Sequence, residues 1–248
     1  MRRMLKLIGC AFVLGVAASP ASAEGEPDGG GLKVSGGAAL VSDYRFRGIS
    51  QTNRRPAVQG SLTLQSGSGL YGSVWASSID DYVANGADAE IDLTAGIRRS
   101  FGSTSLDAGV LYYYYPGSGG VNTDFVEPFV ALSHQLGPVT GKALVAYAPK
   151  QNALTIGNGR EDNLYLAGDL SLAMPKSAIS LTGHFGRSFG PSYLTIGDNY
   201  SDWSLGATAG WKGLTLGVSY VDTDGSFITP RGRNAARGGL VSSVAAAF

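Results

Sequence analysis

Charged residues of both signs recur at alternate positions along this chain. Asp43, Arg45 and Arg47 are separated by Tyr44 and Phe46; Glu90 and Asp92 flank Ile91, with Arg98 farther along the same face. A spacing of two puts such residues on one face of an extended strand and their apolar neighbours on the other. Asp107, Glu127, Lys142, Asp169, His184 and Asp202 occupy the same kind of position in later segments. A surface carrying both signs supports two kinds of chemistry. It can wall a wet path that selects and orients small solutes, or it can close on itself as ion pairs, with Arg45 or Arg47 bridging Glu90 or Asp92.

Other reactive patterns are thinner. The two histidines, His134 and His184, are the only ordinary general bases. His134 falls in a predicted turn, and His184 sits mid-strand on the side of Ser180 and Thr182. A lipid-modifying enzyme would need a nucleophile and base at a lipid face, which neither position offers, so the sequence predicts no catalytic residues. No closely spaced His pair, acidic calcium loop or glycine-rich phosphate loop is present, so no metal and no cofactor is expected. Asp80-Asp81 and Asp198-Asn199 read as polar loop residues that a cation or lipopolysaccharide could meet. In Tyr112-Tyr113-Tyr114-Tyr115, an interfacial girdle accounts for Tyr112 and Tyr114 and leaves Tyr113 and Tyr115 open between that role and a stacking slide.

The elements that must hold these residues are strands of about ten residues with two unlike faces. Ile91, Leu93, Ala95 and Ile97 oppose Glu90, Asp92, Thr94 and Arg98; Leu164, Leu166, Leu170 and Leu172 oppose Tyr165, Asp169 and Ser171; Trp203, Leu205, Ala207, Ala209 and Trp211 oppose Asp202, Ser204 and Thr208. The pattern predicts twelve antiparallel strands near 32–47, 57–65, 70–79, 89–98, 105–115, 124–133, 139–148, 163–172, 178–187, 201–211, 214–222 and 240–248. Short links near 66–69, 99–104, 134–138, 173–177 and 212–213 alternate with longer ones near 48–56, 80–88, 116–123, 149–162, 188–200 and 223–239. Transmembrane barrels have this asymmetry, with short periplasmic turns and longer outer loops. In the third strand either Leu70, Val74 and Ala76 or Tyr71, Trp75 and Ile79 could face lipid. Pro128, inside the sixth, is tolerable only at a bulge or a strand end.

Composition narrows the class. Charged residues make up 15% of the chain, well under the usual quarter, and tyrosine, with 12 copies, outnumbers phenylalanine and tryptophan. A lipid-facing barrel needs few charges and many interfacial aromatics. A soluble β-sandwich or secreted barrel, with its apolar faces turned inward, gives the same periodicity. Residues 1–23 read as an export signal: Arg2, Arg3 and Lys6, then the apolar run Leu7 to Ala18, then Ala21-Ser22-Ala23. The Arg2-Arg3 pair lacks the rest of a twin-arginine motif, and Cys10 lies too early for a lipoprotein box. Cleavage after Ala23 would remove the only cysteine and three basic residues, leaving 16 basic against 19 acidic. Without a basic stripe, nucleic acid is an unfavoured partner. Residues 24–31 form a glycine-rich lead and 32–248 the barrel domain.

Val41-Ser42-Asp43-Tyr44-Arg45-Phe46-Arg47-Gly48-Ile49-Ser50-Gln51, followed by Pro56 to Gly60 and by Gly72-Ser73-Val74-Trp75-Ala76-Ser77, resembles the amino-terminal half of the TorF-type porin family, with a looser match at Glu127 to Ser133 and Gly137 to Val139. The resemblance implies an outer-membrane barrel with no catalytic residues to carry over. The resulting expectation is an outer-membrane, porin-like channel for passive diffusion of small polar or charged solutes, lined by Asp43, Arg45, Arg47, Glu90, Asp92, Arg98, Asp107, Glu127, Asp169, His184 and Asp202. Its expected partners are lipid and lipopolysaccharide, the outer-membrane assembly machinery and the solute. The alternatives are a non-conducting structural or adhesive barrel acting through its outer loops, or an outer-membrane lipid-modifying enzyme.

Overall fold

The computed structural model describes residues 31–248. The expected signal, 1–23, and all but the last residue of the lead lie outside them. Twelve strands close into one antiparallel barrel: β1 (Leu32–Val41), then β4 (Ala57–Ser66), β5 (Leu70–Ser78), β6 (Ala89–Phe101), β7 (Thr104–Tyr114), β8 (Phe125–Leu136), β9 (Val139–Ile156), β10 (Gly159–Ala173), β11 (Ile179–Phe189), β12 (Tyr200–Trp211), β13 (Leu214–Thr223) and β14 (Gly239–Ala247). Each strand pairs with its sequence neighbour, and β14 returns to β1 with Gly37 opposite Ala247 and Val41 opposite Ser243. Closure leaves no free edge, so the ladder satisfies the backbone without water.

The two faces are inverted relative to a soluble protein. Leu40, Val58, Leu62, Leu93, Val110, Val130, Val145, Leu170 and Val218 are exposed on the outside, and Leu205, in the middle of β12, is 74% exposed. Single exposed leucines are ordinary, but a continuous apolar belt is not. The charges point the other way: Glu90, Asp92, Asp107, Glu127 and Asp202 are buried. Only lipid makes this arrangement favourable, which excludes the soluble sandwich. Among the described residues, no helix is long and apolar enough to cross a membrane; the strands do it instead.

Rim aromatics mark both ends of the belt. At the loop end, Tyr112 and Tyr114 stack outward with centroids 6.5 Å apart, and Tyr112, Tyr147 and Tyr220 donate their hydroxyls to Asp124, Asp162 and Asp222. At the turn end, Phe101, Trp211 and Phe248 are exposed. The turn Lys212-Gly213 has φ of 50° and 83°, as a two-residue hairpin matched to the strand twist requires.

Both local ambiguities are decided. In β5, Tyr71 donates to Asp107 and Trp75 meets Tyr44 inside, so Leu70, Val74 and Ala76 face lipid. Pro128 stands where the β8–β9 ladder stops, because pairing begins at Phe129. Just beyond it the Gln151 side-chain amide stands in for a strand: it accepts from Val126 N and donates to Val126 O, each at 2.8 Å.

Two expectations need correction. The segment 149–162 is no loop; β9 and β10 run on to a tight turn at 157–158, with register shifts between Gly159 and Asn163. The first strand stops at Val41 and not at 47. Residues 42–56 turn inward instead, and Arg45–Phe46 (β2) pairs with Ile49–Ser50 (β3) in a small separate hairpin.

Candidate functional site: the lumen and its inward hairpin

The β2–β3 hairpin begins where the chain leaves β1. Its base is tied by Asp43, whose Oδ2 accepts from Arg45 Nε at 2.6 Å and whose Oδ1 accepts from Ser50 Oγ at 2.6 Å and Thr52 Oγ1 at 3.1 Å. Arg45 Nη1 also donates to the carbonyls of Gly48, Ala235 and Arg237, fixing the hairpin to the link 224–238. Arg45 is therefore a brace within the plug and does not bridge Glu90 or Asp92.

At the hairpin tip Arg47 takes φ of 46°, a left-handed conformation that side chains seldom adopt, and Gly48 follows at 81°. This bend sends the guanidinium to the far wall. Arg47 Nη2 donates to both carboxylate oxygens of Glu127 at 2.6 and 2.8 Å, and Nη1 donates to Asn163 Oδ1 at 2.7 Å. Its Cζ lies 4.1 Å from the centroid of the Tyr165 ring and 4.8 Å from that of Phe46. The side chains of Arg47 and Glu127 are only 1% and 2% exposed. A Cβ added at Gly48 would come within 2.8 Å of Asp202 Cβ and 3.0 Å of Thr223 Cβ. The hairpin thus touches β8 and β10 with one residue and β12 and β13 with the next, and so crosses the lumen.

Around this plug the wall is aromatic and acidic. Tyr113 stacks on Phe125 with centroids 4.1 Å apart and donates to Glu127 Oε2 at 3.1 Å. Tyr115 is buried, so neither tyrosine left open by the sequence offers a free face as a slide. Tyr44 donates to Glu90 Oε1 at 3.1 Å. Asp92 Oδ1 has no partner, and no ion pair reaches Glu90 or Asp92 among the described residues.

The remaining residues expected to line the channel form two further groups on the inner wall. Asp107 accepts from Tyr71 Oη at 2.8 Å and pairs with Arg98 at 2.6 Å. His184 bonds Asp169 through Nδ1 at 2.7 Å and Asp202 through Nε2 at 3.0 Å, while Tyr165 donates to Asp202. With both ring nitrogens on carboxylates, His184 is a clamp between β10 and β12 and presents no free base to Ser180 or Thr182. His134 bonds Thr104 at the turn end.

Asn163 and Tyr165 take the guanidinium together with Glu127, the one member of the three among the expected lumen-lining residues. The signal for the other two is the alternation itself, since Asn163, Tyr165, Ala167 and Asp169 share one face of β10.

Folded links cover the mouth above the plug. Asp80 pairs with Arg55 and with Arg231, and Arg231 also holds Asp81. Tyr82 donates to the Ser50 carbonyl, Tyr193 to the Val83 carbonyl, and Ile49, Tyr200, Ala235 and Ala236 make a small apolar core between links. Burial pushes the Asp80 carboxyl up, but hydrogen bonds with Asp81 and Arg55 and the charges of Arg55 and Arg231 outweigh it and hold the group below its ordinary range. Asp80 and Asp81 are thus employed in closing the mouth.

Residues 24–248 match the family described as "Bacterial protein of unknown function (Gcw_chp)". The chain belongs to that family. Its barrel is similar to that of the NanC porin, with a TM-score of 0.57 at 10% identity over 86% of this chain and 98% of that one. It is also similar to that of the KdgM porin, at 0.53 and 8% identity over 87% and 97%. A second KdgM structure, in complex with disordered oligogalacturonate, gives 0.52 at 7% identity over 87% and 97%. At these identities the likeness is one of fold. No curated protein matches the chain.

Proposed function

We propose that this Gcw_chp family member is an outer-membrane, porin-like channel for small polar or charged solutes, narrowed in this conformation by the β2–β3 hairpin. The observation that carries the reading is the inverted barrel, apolar toward lipid and charged toward the lumen along its length. Among the described residues, Glu90 and Asp92 face the lumen without an ion pair, which a barrel sealed by close packing has no use for, because a buried charge costs several kcal/mol unless it is compensated. The resemblance to the TorF-type porin family agrees with this, and a barrel of similar fold, the KdgM porin, has been found in complex with disordered oligogalacturonate. The outward belt, with its tyrosine–aspartate rim, suits contact with lipid and lipopolysaccharide after delivery by the assembly machinery.

Purified protein in a planar bilayer should show discrete conductance steps, brief or rare in the native chain because the hairpin blocks the path. Folded protein that inserts and never conducts, with the hairpin present or removed, would overturn the proposal. The packing of the loop-end lumen favours one rival, a barrel sealed for a structural or adhesive role, with which that result would agree.

A further inference from the structure

The site that holds Arg47 is more elaborate than a latch requires. Glu127 meets one terminal guanidinium nitrogen with both oxygens, Asn163 meets the other, and the Tyr165 ring centroid lies 4.1 Å from Cζ. Two separate donor nitrogens held by different acceptors beside an aromatic ring suit the spread donors of a guanidinium and suit a compact ammonium poorly. The wall residues come from two strands, and their order does not depend on the hairpin: Tyr113 orients Glu127, and Asn163 Nδ2 is anchored on the Phe189 carbonyl at 2.9 Å. The backbone of the hairpin bends through a disfavoured φ to deliver the side chain. Even so the fit is incomplete. Arg47 Nε is buried without a partner, and so is Asp92 Oδ1, which lies on β6 directly opposite Tyr113 of β7. Glu90 and Asp92 add two carboxyl groups that Arg47 does not reach.

We propose that Glu127, Asn163 and Tyr165 form a binding subsite for a guanidinium-bearing solute, and that Arg47 is its tethered occupant. The acidic pair on β6 is two strands away, roughly 10 Å at ordinary strand spacing. It suits a second cationic group on the same solute. A solute of that class displaces Arg47, and with it the hairpin, so the ligand opens the path it uses. The idea rests on the channel reading only in that the solute must reach the lumen.

Agmatine is a suitable probe, titrated by calorimetry into the detergent-folded barrel. Arg47→Ala removes the tethered competitor, so its affinity should exceed that of the native chain by about tenfold or more. R47A/E127Q should lose the gain, and putrescine, which lacks the planar head, should bind R47A more weakly than agmatine does. Equal binding by R47A and R47A/E127Q, or no binding by folded R47A, overturns the proposal. Should R47A fail to fold, the native chain decides: agmatine should speed hydrogen exchange at amides of residues 44–52, and no change at saturation overturns the idea. Conductance without agmatine reports separately on the channel. A variant that conducts and does not bind leaves the channel standing and removes the subsite; one that binds and never conducts does the reverse.

Discussion

At the residue scale the molecule turns on one buried ion pair. Removing a single partner from a buried pair leaves the other charge uncompensated and costs about 3–5 kcal/mol, whereas replacing both with apolar groups of similar size is often neutral. Arg47 and Glu127 are both almost wholly enclosed. Glu127→Ala should therefore lower stability to urea by about that amount, while R47M/E127L should stay close to the native chain. Equal losses in the single and double variants would mean that the pair is not the unit of stability. The pair was only half legible. Glu127 stands on the charged face of an alternating segment, but Asp43-Tyr44-Arg45-Phe46-Arg47 keeps the alternation without a break and so places Arg47 at the end of a strand. The departure occurs at the φ of Arg47, and Gly48 was its sole trace in the sequence.

Among the elements, the strands were legible because lipid on one side and polar contact on the other force a period of two on every one of them. That dependence makes a paired test. Ile97, on β6 between the level of Tyr112 and the turn-end Phe101, faces lipid, and Thr94 on the same strand faces the lumen. Ile97→Arg should destabilise the barrel in bilayers by about 2–4 kcal/mol, the range for arginine near the midplane, and Thr94→Arg should cost much less. Reversed costs would invert the face assignment. The links were harder to read. Pro149, Lys150, Asn152, Gly157 and Asn158 look like a loop, yet β9 and β10 carry them as an extended hairpin whose Leu154 is buried. Turn-forming composition cannot reveal that kind of tertiary support. The mouth links carry a pH dependence of definite sign. The Asp80 carboxyl is held below its unfolded value near 4, so its contribution is fully present above that pH and fades as pH falls through the lower folded value. Hydrogen exchange in the link 224–238, corrected for intrinsic rates, should quicken on acidification. In Asp80→Asn it should already be fast at neutral pH and change little. A link equally protected in D80N at neutral pH would show that Asp80 does not hold the mouth.

For the whole molecule, the question is whether the hairpin is separable from the barrel. The ladder passes from β1 directly to β4, with Leu32 opposite Ser66 through Val41 opposite Ala57, and β2 and β3 take no part in it. Replacing residues 45–50 with a glycine-serine stretch should therefore leave a folded barrel of unchanged β content while removing the obstruction. Single-channel conductance should rise, and the open state should become the usual one. The ions that pass should change as well. The replacement deletes Arg45 and Arg47 and leaves Glu90, Asp92 and Glu127 on the wall, so the reversal potential in a salt gradient should move toward cation preference. That preference should weaken at high salt, because the screening length falls from about 10 Å at 0.1 M to about 3 Å at 1 M. Conductance steps that occur in both chains with the same size and frequency would mean that the links above, held by Asp80, Arg231 and Tyr82, and not the hairpin, obstruct the path. A rise in conductance without a change in selectivity would mean that the open path runs clear of the β6–β8 wall, since unpaired carboxylates in a narrow lumen must bias the ions that pass them.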